Sequence, residues 1–227
     1  QVETKPPKIA YKETISQNAE GHHRHKKQTG GAGQFGEVFM RIEPLPRDAG
    51  FEFVSEVVGG TIPTSFLPAV EKGVREALQE GAIAGYPMQD VRAIAYDGKY
   101  HPVDSKEIAF ITAGREAFLD AVSKAKPLIL EPIVNLEVRT PADSVGAITG
   151  DLSSRRGRIA GTDAGPRGMT LINAQVPLAE LEGYESQLKS MTGGHGSYNI
   201  ELSHYDPVPG DIQQKLQAAH KKQQQDS

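Results

Sequence analysis

The chain has no cysteine, so neither disulfides nor thiolate chemistry operate in it, a composition compatible with a reducing cytosol. No apolar run approaches the length that crosses a bilayer, and the N-terminus lacks the apolar core of a signal peptide. Nor does one charge dominate. With 25 basic against 29 acidic residues in 227, and a net charge of −4, any nucleic-acid signal has to be local. No GxxxxGKS/T phosphate loop occurs, which argues against GTP binding or hydrolysis by this chain alone. The first residue is Gln1 rather than methionine, and residues 1–7 read as a linker cut from something longer.

What is present in quantity is glycine, and it concentrates at Gly30-Gly31-Ala32-Gly33-Gln34-Phe35-Gly36. Gly31, Gly33 and Gly36 spell GxGxxG, which raises a nucleotide-binding enzyme as one reading. A dinucleotide cradle needs a strand before the glycines and a helix after them. Here a basic, histidine-rich run, His22 to Lys27, precedes, and Val38, Met40 and Ile42 alternate with polar neighbours behind, which predicts a strand. The kinase version of the motif would also need a lysine on the next strand and HRD and DFG loops, and none follows. The glycines therefore read as a loop joining two strands.

Taken in order, Lys8–Ile15 alternates like a strand, Glu37–Glu43 is the return strand after the glycines, and Phe51–Val58 is another. Pro68 and Gly81 punctuate a helix with Val70, Val74, Ala77 and Leu78 on one face. Residues 88–96 read as a strand running into a turn from Asp97 to Pro102, and Asp104 with Glu107 resembles a capping box. The helix it opens carries Ile108, Ile111, Phe118, Ala121 and Val122 as an apolar face and stops at Pro127.

Beyond that point the order is strand (129–138), helix (capped by Asp143 or Ser144 and closed by Arg155-Arg156-Gly157), two strands, helix (178–191) and strand (197–202). This βαββαβ order is that of ferredoxin-like domains. The predicted class is α/β (α+β), with two two-layer domains at 8–126 and 127–208 and a C-terminal helix and polar tail at 209–227.

Arg24, Lys26 and Lys27 supply the local positive charge that suits a phosphate backbone, or else a solvated basic loop. Around them, Gly30, Gly31 and Gly33 can bring backbone N–H groups close to phosphates, and Gln34 can bond base edges or 2′-hydroxyls. Phe35 could stack on a base or pack into the core. His22, His23 and His25 raise a metal site, but no partner carboxylate or cysteine stands at ligand spacing, so none is assigned. In the second domain, Arg155 and Arg156 could fork onto phosphates or cap a helix C-terminus.

Lys8–Thr14, Gln28–Gly36, Gly59–Gly73, Tyr100–Ser105 and Gly150–Gly157, in one register, resemble the C-terminal half of translation elongation factor G. The resemblance implies that 8–126 is the ribosomal-protein-like fourth domain and 127–208 the fifth. It implies as partners the ribosome's small-subunit decoding site, the tRNA–mRNA duplex and large-subunit RNA, with no membrane, and a cytoplasmic monomer. It implies tip residues Tyr100 and His101, His101 standing where the eukaryotic counterpart carries its modified histidine. No cofactor is expected in this chain, GTP and Mg belonging to an N-terminal part of a longer parent. Ala32 replaces the family's usual arginine, Pro102 replaces the acidic residue after the tip histidine, and the basic run is longer and richer in histidine. These departures open a further reading as an elongation factor G-like paralogue or a ribosomal protection protein.

Overall fold

The structure, a computed structural model, describes residues 8–227 apart from the side chain of Thr29, so the linker expected at 1–7 lies outside the described residues. Two compact units emerge, one formed by Lys12–Ile129 with Val208–Ser227, the other by Leu130–Pro207 with residues 8–11. Both are mixed α/β.

The first unit contains β1 (Lys12–Thr14), β2 (Ala19–Thr29), β3 (Ala32–Pro44), β4 (Phe51–Ser55), α1 (Leu67–Glu80), β5 (Val91–Lys99) and α2 (Glu107–Ser123). Its sheet runs β2-β3-β5-β4, antiparallel except for the β4–β5 pair. Period-two alternation buries Val38, Met40 and Ile42 of β3 in one cluster with Val70 and Val74 of α1 and Phe110 and Phe118 of α2. The punctuation of α1 holds: Pro68 sits in its first turn and Gly81 ends it at φ 78°.

Several elements differ from the sequence reading. The strand expected over Lys8–Ile15 contracts to β1, whose fully buried Glu13 accepts N–H groups from Ala82, Ile83, Ala84 and Tyr86 at 2.6, 2.9, 2.9 and 2.9 Å. The basic run is no loop; it is β2, paired with β3 from Ala19–Ile42 to Thr29–Ala32, so the return strand begins at Ala32 rather than Glu37. Likewise β5 continues through Lys99, absorbing half of the expected turn. The capping box at Asp104 and Glu107 does not form, because Lys106 takes the N-cap position and no side chain caps the helix. Ile108, expected on the apolar face, is 50% exposed, and Phe110 is buried instead.

The second unit contains β6 (Leu128–Thr140), α3 (Val145–Ser154), β7 (Arg158–Ala164), β8 (Thr170–Pro177), α4 (Tyr184–Thr192) and β9 (Ser197–Pro207). Within it the strand order β9-β6-β8-β7, antiparallel throughout, is the ferredoxin-like arrangement. Leu136, Val138, Ile172 and Val176 meet Ile148, Leu152, Tyr184 and Leu188 in its core. The single helix expected over 178–191 is broken, because Gly183 at φ 69° separates a short turn at Leu178–Leu181 from α4. Ser144 takes the N-cap position of α3, as expected, but its hydroxyl donates to Met191 O at 3.3 Å instead of accepting from the helix.

The last helix, α5 (Gly210–Gln225), clusters with the first unit rather than standing apart as a tail. Gln213 fastens it there, accepting the Ile129 N–H at 3.3 Å and donating to Pro127 O at 3.1 Å. A helix so polar draws its order from such contacts more than from propensity.

Candidate nucleic-acid interface

Thr29 pairs with Ala32, which leaves Gly30 and Gly31 as a two-residue hairpin turn, at φ 59° and 109°. Such a turn requires positive φ at both positions, which glycine adopts without strain. Gly33 and Gly36 lie inside β3, so the glycines lead into a strand and not a helix, and the geometry contradicts a dinucleotide cradle.

The segment 100–106 is stitched to this hairpin. The Phe35 N–H donates to Asp104 O at 3.0 Å, and the Ser105 hydroxyl donates to Phe35 O at 2.9 Å. Gly33 is buried under the Asp104 carboxylate; a Cβ at that position would lie 2.7 Å from Asp104 Cγ. Between hairpin and loop lies a hollow of about 280 Å³. Arg24, Lys26, Lys27, Gln34, Phe35, Tyr100 and His101 all line it, which brings together most of the tip residues named from the sequence. Gly30 and Gly31 shape the turn beside it, and Gly33 forms part of its support.

Three lining residues were not anticipated, namely Gln28, Lys99 and Asp104. Lys99 was hidden in an assumed turn, and Asp104 was assigned to a helix cap. For Lys99 the signal that could have found it is the parity of β5 carried through to its end. With Arg24, Lys26, Lys27 and Lys99 against Asp104 alone, the lining is basic within an acidic chain. The amide of Gln28, the amide nitrogen of Gln34 and the phenol of Tyr100 add groups able to bond bases or ribose, the Gln34 oxygen being taken by His25.

Phe35 is only 8% exposed, with the Arg24 guanidinium 5.3 Å over its ring. The stacking role considered for it is thereby corrected: the ring packs inward and positions Arg24. The histidines are separated by strand alternation, which sends neighbouring side chains to opposite faces. His22 bonds Glu37 at 2.6 Å and stacks on Phe39, whereas His25 bonds Gln34 at 2.9 Å. Among the described residues no group of three His, Asp or Glu side chains is placed to hold a metal. Behind β2, the His22 N–H donates to Asp120 of α2 at 3.1 Å. Burial pushes the Asp120 carboxyl up, but this bond and the Lys124 ammonium outweigh it and leave it below its ordinary value.

In the second unit both arginines are already engaged. Arg156 forks onto Glu131 at 2.7 and 3.0 Å and reaches Glu180 at 2.9 Å. The Glu131 bonds, opposed by burial, raise its pKa. Arg155 bonds Asp151 at 3.0 Å and the carbonyls of Glu180 and Glu182 at 2.7 and 3.2 Å, and it lies over the Tyr184 ring. Burial, with the Asp151 charge adding, pushes the Tyr184 phenol up to about 12. Both arginines make internal ties that close α3, Arg155 being its C-cap, which is the helix-capping role the sequence offered beside phosphate contact.

Comparison with known proteins bears on both units. The family model "Elongation factor G, domain IV" matches residues 7–126, and "Elongation factor G C-terminus" matches residues 128–216. An "Elongation factor G-like protein" of Thermotoga maritima is 48% identical over 225 residues, 99% of this chain and 33% of that protein. "Elongation factor G" of Aquifex pyrophilus is 52% identical over 210 residues, 92% of this chain and 30% of its own length. A crystal structure of a Thermus thermophilus protein aligns with a TM-score of 0.81 at 41% identity, covering 96% of this chain and 32% of that one. The chain thus spans about a third of the length of the curated relatives it matches. Since the first model alone takes in more than half of its residues and the second most of the others, the chain belongs to the elongation factor G family, of which it carries domain IV and the C-terminal domain.

Proposed function

We propose that this chain is the ribosome-contacting part of an elongation factor G-type translation factor, and that its hairpin tip promotes movement of tRNA and mRNA through the small-subunit decoding site. The observation that carries the reading is the basic hollow where the β2–β3 turn and the 100–106 loop interlock, lined by Lys26, Lys27, Lys99 and His101. Cations, amides and a phenol on a braced tip suit a structured RNA target better than a small metabolite. The chain's contribution is then steric: it occupies a site and stabilises one arrangement of tRNA. GTP hydrolysis, with its Mg, is assigned to a part of the longer protein outside residues 1–227, in a cytoplasmic monomer.

Replacing Gln34 and His101 in the full-length protein is expected to slow translocation while GTP turnover persists. Unchanged translocation would sink the tip assignment. A second reading, a paralogue or ribosomal protection protein that binds ribosomes without normal translocation, is favoured by Ala32 and Pro102, both exposed at the tip. Rescue of protein synthesis after depletion of the host's main factor separates the two, since only a working translocase restores growth.

A further inference from the structure

The two nitrogens of His101 have different surroundings. Its Nδ1 lies 3.2 Å from the Val103 N–H and 3.1 Å from the Asp104 N–H. Backbone N–H groups can only donate, so Nδ1 accepts from both and carries no proton; the ring proton of the neutral imidazole is then on Nε2. The Asp104 carboxylate, at 3.7 Å from Nδ1, stands outside hydrogen-bond range and does not compete for that position. The loop around the ring is closed by a pair of bonds between His101 and Ser105: the His101 N–H donates to Ser105 Oγ at 2.8 Å and the Ser105 N–H to His101 O at 3.1 Å. The side chain itself is 51% exposed beside the basic hollow.

From this we propose that His101 works through a division of labour between its nitrogens. Nδ1 organises the 100–106 loop as an asparagine or aspartate side chain would, and Nε2–H is presented outward as a hydrogen-bond donor to an oxygen acceptor of RNA. A donor-only tip discriminates among RNA groups. It bonds a phosphate, ribose or base-carbonyl oxygen, or an unprotonated base ring nitrogen, and finds no acceptor in exocyclic amines. This selectivity rests on the ribosomal reading given above, whereas the tautomer and the loop geometry do not.

The test has two arms. In this chain, nitrogen NMR of the imidazole, at a pH where the ring is neutral, should show a protonated Nε2 and a bare Nδ1; a protonated Nδ1 overturns the inference. In the full-length protein, His101→Asn retains an acceptor near Nδ1 but no donor at the Nε2 position, whereas His101→Gln retains that donor and loses the acceptor. His101→Asn should keep the Val103 and Asp104 amides protected from hydrogen exchange yet slow translocation about tenfold, the worth of one good hydrogen bond. His101→Gln should do the reverse, exposing those amides while recovering most of the rate. Both variants at the wild-type rate, or both equally slow with the loop intact, would overturn the donor role. A full-length wild-type protein that fails to translocate would remove the RNA partner and the ribosomal reading together, and would leave the tautomer to be judged by the NMR result alone.

Discussion

Arg156 and Glu131 form a bidentate pair, at 2.7 and 3.0 Å, across the edge of the ferredoxin-like unit, with the Glu131 side chain only 2% exposed. Arg156 sits at φ 58°, a left-handed conformation that aims its fork at β6 and lets the Gly157 N–H reach back to Leu152 O at 2.8 Å. One residue thus ends α3 and neutralises a buried carboxylate. Arg156→Ala is expected to destabilise this unit by about 3 kcal/mol, because the surviving carboxylate is left buried and unpaired. Urea denaturation of the chain measures it, and a loss below about 1 kcal/mol would show that Glu131 finds water or another partner.

In the first unit the corresponding buried charge is Glu13, held by four backbone N–H groups rather than by a cation. Glu13→Gln keeps the shape but turns an amide donor toward groups that can only donate. The expected cost is about 2–4 kcal/mol, from unsatisfied N–H groups and lost charge-assisted bonds. An unchanged denaturation midpoint would mean that the 81–86 loop reorganises freely.

Two glycines on the same hairpin should behave oppositely when changed to alanine. At Gly21 a Cβ would lie 2.1 Å from Ala117 O, which is helix backbone and cannot yield, so a loss of about 1–3 kcal/mol is expected. At Gly33 the nearest atoms it would meet belong to the Asp104 carboxylate, the end of a side chain that can swing away. Gly33→Ala should therefore leave thermal stability nearly unchanged but shift the amide resonances of 101–105. Equal destabilisation by the two changes would refute this account of how the tip is mounted.

The depressed Asp120 pKa links β2 to pH. A carboxyl whose folded pKa lies below its unfolded value contributes stability that is present above the unfolded pKa and lost as pH falls through the folded one. The loss should appear only below about pH 4. Asp120→Asn should flatten the acid limb of the stability–pH curve while its Oδ1 still accepts the His22 N–H; an identical acid limb in both proteins would contradict the linkage.

Elements whose boundaries are written locally were legible from the residues. Pro68 and Gly81 bracket α1, and the alternation from Val38 to Ile42 marks β3. The order of elements after 127 identifies a ferredoxin-like unit. The tip was recognisable too, because its motifs cluster around Gly30 and His101, and the hollow joins residues named for it from both. The errors came where a local signal competed with a distant partner. The polar run His22–Lys27 has no strand-like alternation of its own, yet β3 supplies a full ladder of partners and makes it one. Asp104 looked like a cap, but Phe35 claims its carbonyl and Gly33 lies beneath its carboxylate.

By itself, then, the sequence determined the element order, the helix punctuation and the local concentration of charge at the tip, which depend on residues within a few positions of one another, and the family, which rests on several such short motifs in one register. Only the tertiary structure decided which groups each charged side chain meets. Lys26, Lys27 and Lys99 converge on one hollow from separate strands, whereas Arg155 and Arg156, as basic and as adjacent, are spent on Glu180 and Glu131. The physical reason is that ion pairing depends on which groups the fold brings within hydrogen-bond range: Asp151 lies one helical turn from Arg155, but Glu180 and Glu131 stand 24 or 25 residues away, beyond the reach of a local pattern.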